Sequence, residues 1–247
     1  AEAIAKGADL ILVAGGDGTV NEALQGMVGS HAALGIIPSG TADVTAMEIG
    51  LGKQTRTALP ALLRSQPQRI AVGALKAGDG PERYFLAMAG VGLDASIVRR
   101  VSPGFKRRFG KLSYWYAGFA TLGQALPEFS ATVDGERVRA SFALLSRVKN
   151  YGGDLEIARH ADIRKPKLAL VMFEGPNTFR YLKYFGGVLL NRLDGMSGVR
   201  LKLVDELTVE AEAGGGPDLQ VDGEYAGLGA ARVRVVDTAL TLLMPPR

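Results

Sequence analysis

Residues 9–24 read DLILVAGGDGTVNEAL. Asp9 to Ala14 form a short apolar run of the kind buried on both faces in a parallel sheet. The run stops at Gly15-Gly16-Asp17-Gly18-Thr19. Beyond it Val20, Leu24, Met27 and Val28 recur at a spacing that puts them on one helix face. Residues 33–37 (ALGII) give a second buried strand, closed by Pro38-Ser39-Gly40-Thr41 and followed by a helical stretch over 42–49 and a short helix over 58–64. A strand–helix–strand–helix order predicts an α/β layer on a parallel sheet. Both glycine turns then fall at the carboxyl ends of the strands, where such sheets hold ligands.

After Pro67 the texture changes. Strands are expected over 69–76, 84–89, 129–133, 138–146, 168–173, 200–204, 206–211, 219–221 and 232–236, many of them separated by Asp/Gly turns. So many short strands predict a β-rich, sandwich-like second domain. Helices are expected over 105–126 and 178–192. The division is 1–67 for the α/β domain and 68–247 for the β-rich one, with the last strand free to return to the first domain. Residues 1–7 look like the tail of an amphipathic helix, which suggests that an N-terminal piece precedes them.

Composition narrows the chemistry. There is no cysteine, so disulfides, thiol nucleophiles and thiolate metal sites are excluded. Two histidines leave no material for a multi-histidine zinc site. A bound metal would be a hard ion such as magnesium, held by carboxylates. The net charge of +4 is too mild to imply nucleic acid as a partner. No apolar run reaches the ~18 residues that would span a membrane, and no signal peptide opens the chain. A cytoplasmic location is expected.

The Gly15–Thr19 turn sits where free N–H groups and the helix dipole favour an anion. Its glycines allow positive φ and let a phosphate reach the backbone. Thr19 can cap the helix or meet a phosphate oxygen. Asp17 would repel a polyphosphate unless a divalent cation bridges them, so the loop suggests a nucleotide with magnesium. Gly40 and Thr41 are candidate second contacts. The alternative is a ligand-free Asp-Gly turn. The stretch is neither a Walker A motif nor the dinucleotide G-x-G-x-x-G.

These residues resemble the diacylglycerol kinase catalytic-domain family, especially its bacterial soluble lipid kinases. GGDGTVNEAL (15–24) looks like that family's nucleotide loop, and LGIIPSGTADVTAMEIGL (34–51) like its P-x-G-T-A-N stretch. AGVGLDA (89–95), YGGDLEIA (151–158) and LQVDGE (219–224) match further blocks in the family's order. The resemblance implies an α/β domain of the NAD kinase/diacylglycerol kinase type, with a lipid-substrate domain after it. It implies ATP and Mg²⁺ as cofactors, and nucleotide contacts from Gly15, Gly16, Asp17, Gly18, Thr19, Asn21, Gly40 and Thr41. Asp17 and Asp94 are implied as metal ligands, and Asp222 or Glu224 as the catalytic base, Asp222 first. The implied reaction moves a γ-phosphoryl group to a lipid hydroxyl such as that of diacylglycerol. Departures from the family pattern are Asp43 for its Asn, Met47 for an Arg, Asp154 for a Gly, and no acid near Leu168 where a structural magnesium site would need one.

Val-Asp-Gly-Glu occurs twice, at 133–136 and 221–224, and Asp-Gly between strands is first of all a hairpin turn. Only family order singles out the later copy. Asp94 can instead be the N-cap of a helix over 95–100. Phe105, Phe109, Leu112, Tyr116 and Phe119 share a helix face beside Lys106, Arg107, Arg108 and Lys111. Such a face either packs on the core or rests on an anionic bilayer. A lipid substrate at a membrane surface, with peripheral contact at its inner face, is the expected partner. The competing functions are an NAD kinase-like enzyme and a nucleotide- or lipid-binding module without catalysis.

Overall fold

The computed structural model describes residues 1–100, 126–152, 155–210 and 215–246, excepting the side chain of Arg100. The helix expected over 105–126, its basic and aromatic face, and Asp154 lie outside the described residues.

The order of elements begins α1 (Glu2–Ala5), β1 (Leu10–Gly15), α2 (Asp17–Gln25), β2 (Ala33–Pro38), α3 (Val44–Glu48), α4 (Thr55–Leu63). It continues with β3 (Gln66–Ala77), β4 (Glu82–Phe85), β5 (Met88–Gly92) and α5 (Leu93–Arg100). Then come β6 (Phe129–Val133), β7 (Glu136–Ala140), β8 (Phe142–Ser146), β9 (Asn150–Tyr151), β10 (Leu155–Glu156), β11 (Leu168–Phe173) and α6 (Thr178–Leu189). The described chain closes with β12 (Val199–Val204), β13 (Glu206–Val209), β14 (Asp218–Val221), β15 (Glu224–Leu228) and β16 (Ala231–Met244).

Two large sheets result. The first has the order β1-β2-β16-β13-β6-β7, with β3 pairing β16 and β4. Its β1–β2 and β2–β16 pairs are parallel, as the two βα units require. The second, β12-β11-β8-β5-β14-β15, is antiparallel throughout. Between the sheets lies one apolar core, containing Leu75, Phe85, Val91, Phe129, Leu145, Leu170, Val221 and Val233. A second core joins the helices to β1 and β2 and runs on beneath α6. β11 shows why its sequence is an unbroken apolar run. Leu168, Leu170 and Met172 enter the first core, Ala169, Val171 and Phe173 the second, so period-2 alternation buries both faces.

Three segments differ from their sequence-based expectation. Residues 138–146 are two strands, because the chain changes sheet at Ser141, whose N–H donates to Phe173 O (3.0 Å) and whose O accepts from Leu93 N (2.9 Å). Residues 84–89 are split at Leu86–Ala87. β16 runs well past the expected 232–236 and pairs with β2 through Thr241 and Leu242. Arg147 is fully buried and donates to the carbonyls of Ala71, Ile163, Lys165 and Lys167. Burial pulls its pKa down to about 10, so it stays a cation at neutral pH.

Candidate active site

β1 ends at Gly15 and α2 begins at Asp17, with Gly16 as N-cap at φ −89°. No glycine of the Gly15–Thr19 loop has positive φ, which corrects the expectation drawn from their conformational freedom. Their smallness serves a close approach. A Cβ on Gly40 would lie 2.5 Å from Gly16 Cα and 2.7 Å from Asp43 Oδ1, so the two glycine turns touch backbone to backbone. Asp17 reinforces the contact. Its Oδ2 accepts from Val44 N and its Oδ1 from Thr45 N, both at 3.1 Å, capping α3 from across the loops. Asp43, in the left-handed region at φ 48°, closes the second turn by accepting from Gly40 N at 3.0 Å on each oxygen. Burial raises the Asp43 pKa against that hydrogen bond, and the neighbouring Asp17 adds to the rise. Thr19, Ser39, Gly40 and Thr41 are the exposed residues of the paired turns.

The two Val-Asp-Gly-Glu copies form the same turn. Asp134 and Gly135 have φ 48° and 79°, Asp222 and Gly223 φ 47° and 80°. Both join adjacent antiparallel strands, as a two-residue hairpin with positive φ at both positions should. Their surroundings separate them. Asp134 and Glu136 form exposed ion pairs with Lys202 (2.5 Å) and Arg200 (2.9 Å).

Asp222 sits instead at the junction of the two domains. Its Oδ1 accepts from Ala87 N (3.0 Å) and Met88 N (2.8 Å), and its Oδ2 from Leu86 N (3.2 Å) and Asn21 Nδ2 (2.8 Å). Burial pushes its pKa up to about 6, against four donors that all favour the ionised form. Asn21 is buried, and its Nδ2 also donates to Tyr84 O (2.9 Å). It therefore ties α2 to the second domain.

Asp94 lies in the first turn of α5, one residue inside the helix, so it is not the N-cap. It is fully buried. Tyr151 Oη donates to its Oδ1 (2.6 Å) and Gln220 Nε2 to its Oδ2 (2.7 Å). Burial raises its pKa against both hydrogen bonds. A Cβ on Gly90 would fall 1.6 Å from Asp94 Oδ2, so the carboxylate fills the space that this glycine leaves. Gln220 Oε1 in turn accepts from Gly223 N (2.8 Å), linking Asp94 to the turn that carries Asp222. Tyr151 and Gln220 belong to the matched blocks, but nothing in their spacing marks them out.

Glu224 is exposed, and its Oε2 accepts from Arg83 Nη2 at 3.1 Å. Its Oε1 lies 3.5 Å from where a Cβ on Gly18 would stand. A carboxylate of the second domain thus faces the first turn of α2. Arg83 was not singled out from the sequence. The implied metal ligands are not brought together: Asp17 caps α3, Asp94 is enclosed by Tyr151 and Gln220, and no cluster of three metal-ligating side chains occurs among the described residues.

Comparison with known proteins agrees with this two-part architecture. Residues 1–75 match the diacylglycerol kinase catalytic domain, and residues 87–244 match the YegS C-terminal NAD kinase beta sandwich-like domain. The chain is 32% identical to the diacylglycerol kinase of Mycobacterium tuberculosis H37Rv, over 99% of this chain and 80% of that protein. It is 24% identical to the diacylglycerol kinase of Bacillus subtilis, over 92% of this chain and 75% of that one. A crystal structure of a diacylglycerol kinase from Bacillus anthracis superposes with a TM-score of 0.77 at 20% identity, covering 99% of this chain and 80% of that one, and so shares the fold. With both domains matched in order, and a relative above 30% identity over 99% of this chain, the chain belongs to the diacylglycerol kinase catalytic-domain family and is a lipid kinase.

Proposed function

We propose that the chain transfers the γ-phosphoryl group of ATP to the hydroxyl of a membrane lipid such as diacylglycerol, with Glu224 as general base. The observation that carries this reading is the Glu224 carboxylate standing over Gly18, 3.5 Å from its Cβ position, at the start of the helix that follows the glycine loop. The N-terminus of α2, with the exposed Thr19, Gly40 and Thr41, receives the phosphates. The acceptor hydroxyl attacks phosphorus in line and its proton passes to Glu224. The new O–P bond forms as the bond to the β-phosphate bridging oxygen breaks, and ADP leaves. Arg83 holds the Glu224 side chain in place.

The family resemblance places Asp222 ahead of Glu224 as base. Its four accepted hydrogen bonds use both oxygens and leave little capacity for a substrate proton. Its part in this reading is to position the turn that carries Glu224. A divalent cation, if present, would supply neutralisation of phosphate charge. The carboxylates expected to hold it do not converge, so no step is assigned to it.

The test is a radiolabelled ATP assay over a lipid panel. Glu224→Gln should lower the rate by ~10²–10⁴ and leave thermal unfolding unchanged, because the side chain is exposed. Full activity in Glu224→Gln refutes the base assignment. Label on NAD and on no lipid refutes the acceptor.

A further inference from the structure

Helix α6 is apolar on two sides. Its inner side is core: Tyr184 and Val188 are buried, and the Tyr184 ring stacks on Phe173 at 4.7 Å and 28°. On the outer side Phe179, Leu182, Leu189 and Leu190 remain 64%, 43%, 60% and 70% exposed. At 100° per residue these four and Gly186 fall within one stripe about 100° wide. That is the width with which a helix ordinarily faces a core, and here it faces outward. Monomeric proteins seldom leave such a continuous apolar surface without a use for it.

We propose that this outer face of α6 docks on an anionic lipid bilayer. Charge selects that occupant. From Gly175 to Leu193 the sequence holds Arg180, Lys183 and Arg192 and no acidic residue. Long basic side chains beside an apolar stripe extend toward headgroup phosphates while leucine and phenylalanine enter the acyl boundary. A second copy of the chain, docked by the same face about a two-fold axis, would bring like charges together.

Position agrees with an enzyme that takes its acceptor from the membrane. Tyr181 Oη lies 2.8 Å from Ser141 Oγ, and Ser141 O accepts from Leu93 N, the residue before Asp94. The same helix packs on β10, whose partner β9 supplies Tyr151 to Asp94. The face thus belongs to the domain that carries Glu224 and is tied to the Asp94 network. No helix among the described residues is long and apolar enough to cross a membrane, so contact by α6 is contact in the plane of the interface. The inference rests on the lipid-acceptor reading for its purpose, but not for its measurement.

The experiment is sedimentation of the full chain with vesicles of phosphatidylglycerol and phosphatidylcholine, or of phosphatidylcholine alone, without nucleotide. Wild type should bind the phosphatidylglycerol vesicles, and more weakly as salt rises. Leu189→Glu should weaken binding at least ~10-fold, the value of one buried leucine. Lys183→Gln should weaken it by about fivefold, the value of one cation near such a surface. Both positions are exposed, so melting temperature and phosphorylation of a detergent-dispersed lipid should stay at wild-type level. Loss of vesicle binding together with loss of nothing else supports the surface. Absent phosphorylation alongside that same selective loss overturns the acceptor reading and still supports the surface. The proposal is overturned if wild type ignores phosphatidylglycerol vesicles, or if Leu189→Glu binds them as wild type does. It is equally overturned if wild type is a dimer that Leu189→Glu splits.

Discussion

Gly40→Ala distinguishes the two reasons a glycine can stand in a nucleotide loop. If glycine serves only to admit a phosphate, a methyl group there should weaken nucleotide binding and leave the fold unaffected. The structure gives the other expectation. The new Cβ would lie 2.5 Å from Gly16 Cα and 2.7 Å from Asp43 Oδ1, where ordinary contact needs more than 3.4 Å. Two backbone segments must therefore part by about 1 Å, a displacement of the overpacking kind that costs ~1–3 kcal/mol. The shift also strains the hydrogen bonds from Gly40 N to the Asp43 carboxylate, at 3.0 Å, and a bond to a charged group is worth ~1.5–3 kcal/mol. A loss of about 2–4 kcal/mol is expected, read as a lower urea midpoint at unchanged m. Gly186→Ala is the control. It lies in α6 with nothing within 4 Å of its Cβ position, so it should gain ~0.5–1 kcal/mol from helix propensity. A Gly40→Ala protein within 0.5 kcal/mol of wild type, yet poor in nucleotide binding, would refute the packing explanation of the paired turns.

Two more perturbations follow from Asp222 and Asp94. Asp222 has its pKa raised from 3.8 to about 6, so the stability it contributes is complete below about pH 4 and is lost as pH rises through 6. A shift of about two units corresponds to ~3 kcal/mol, so the stability of wild type minus that of Asp222→Asn should fall by roughly that amount between pH 4 and pH 7. An unchanged difference in urea titrations at the two pH values would show that burial does not dominate at this carboxyl. Tyr151→Phe leaves a fully buried Asp94 oxygen without its 2.6 Å donor and should cost ~1–3 kcal/mol in thermal unfolding. Tyr225→Phe, which removes an exposed hydrogen bond to Asp218, should cost far less, and equal losses would rule out a special role for the Asp94 network.

Much of the fold was legible in the sequence because burial leaves a period in it. The run at 168–173 could only be a strand buried on both faces, and 129–133 and 33–37 are similar cases. The misread segments are those where a distant group replaces the local pattern. Leu86 and Ala87 leave the ladder because their N–H groups go to Asp222, a partner no local window contains. The break at Ser141 lies between two buried neighbours, and a lone serine does not by itself mark a change of sheet. β15, with the sequence EYAGL, has exposed and half-buried residues in no alternating order, so nothing announces it.

The site was legible to a similar depth. Sequence order brought Asp17, Asp94, Asp222 and Glu224 to attention. It could not divide their work, because that depends on which donors surround each carboxylate. Two identical tetrapeptides with one backbone make the point: Asp134 meets a surface lysine, and Asp222 meets four N–H donors gathered from α2, the β4–β5 link and the first residue of β5.

The pairing of β16 with β2 bears on how the molecule comes into being. Thr241 and Leu242 lie beside Ala33 and Leu34, and Leu240, Leu242 and Met244 complete the core under the helices of the first domain. During synthesis the ribosome must deliver nearly the whole second domain before that strand can slot in. Contacts between residues so far apart along a chain are the slowest to form. Until they do, β2 presents an open edge to its surroundings, the kind of surface on which nascent chains aggregate or recruit chaperones. The paired glycine turns are made early and held late.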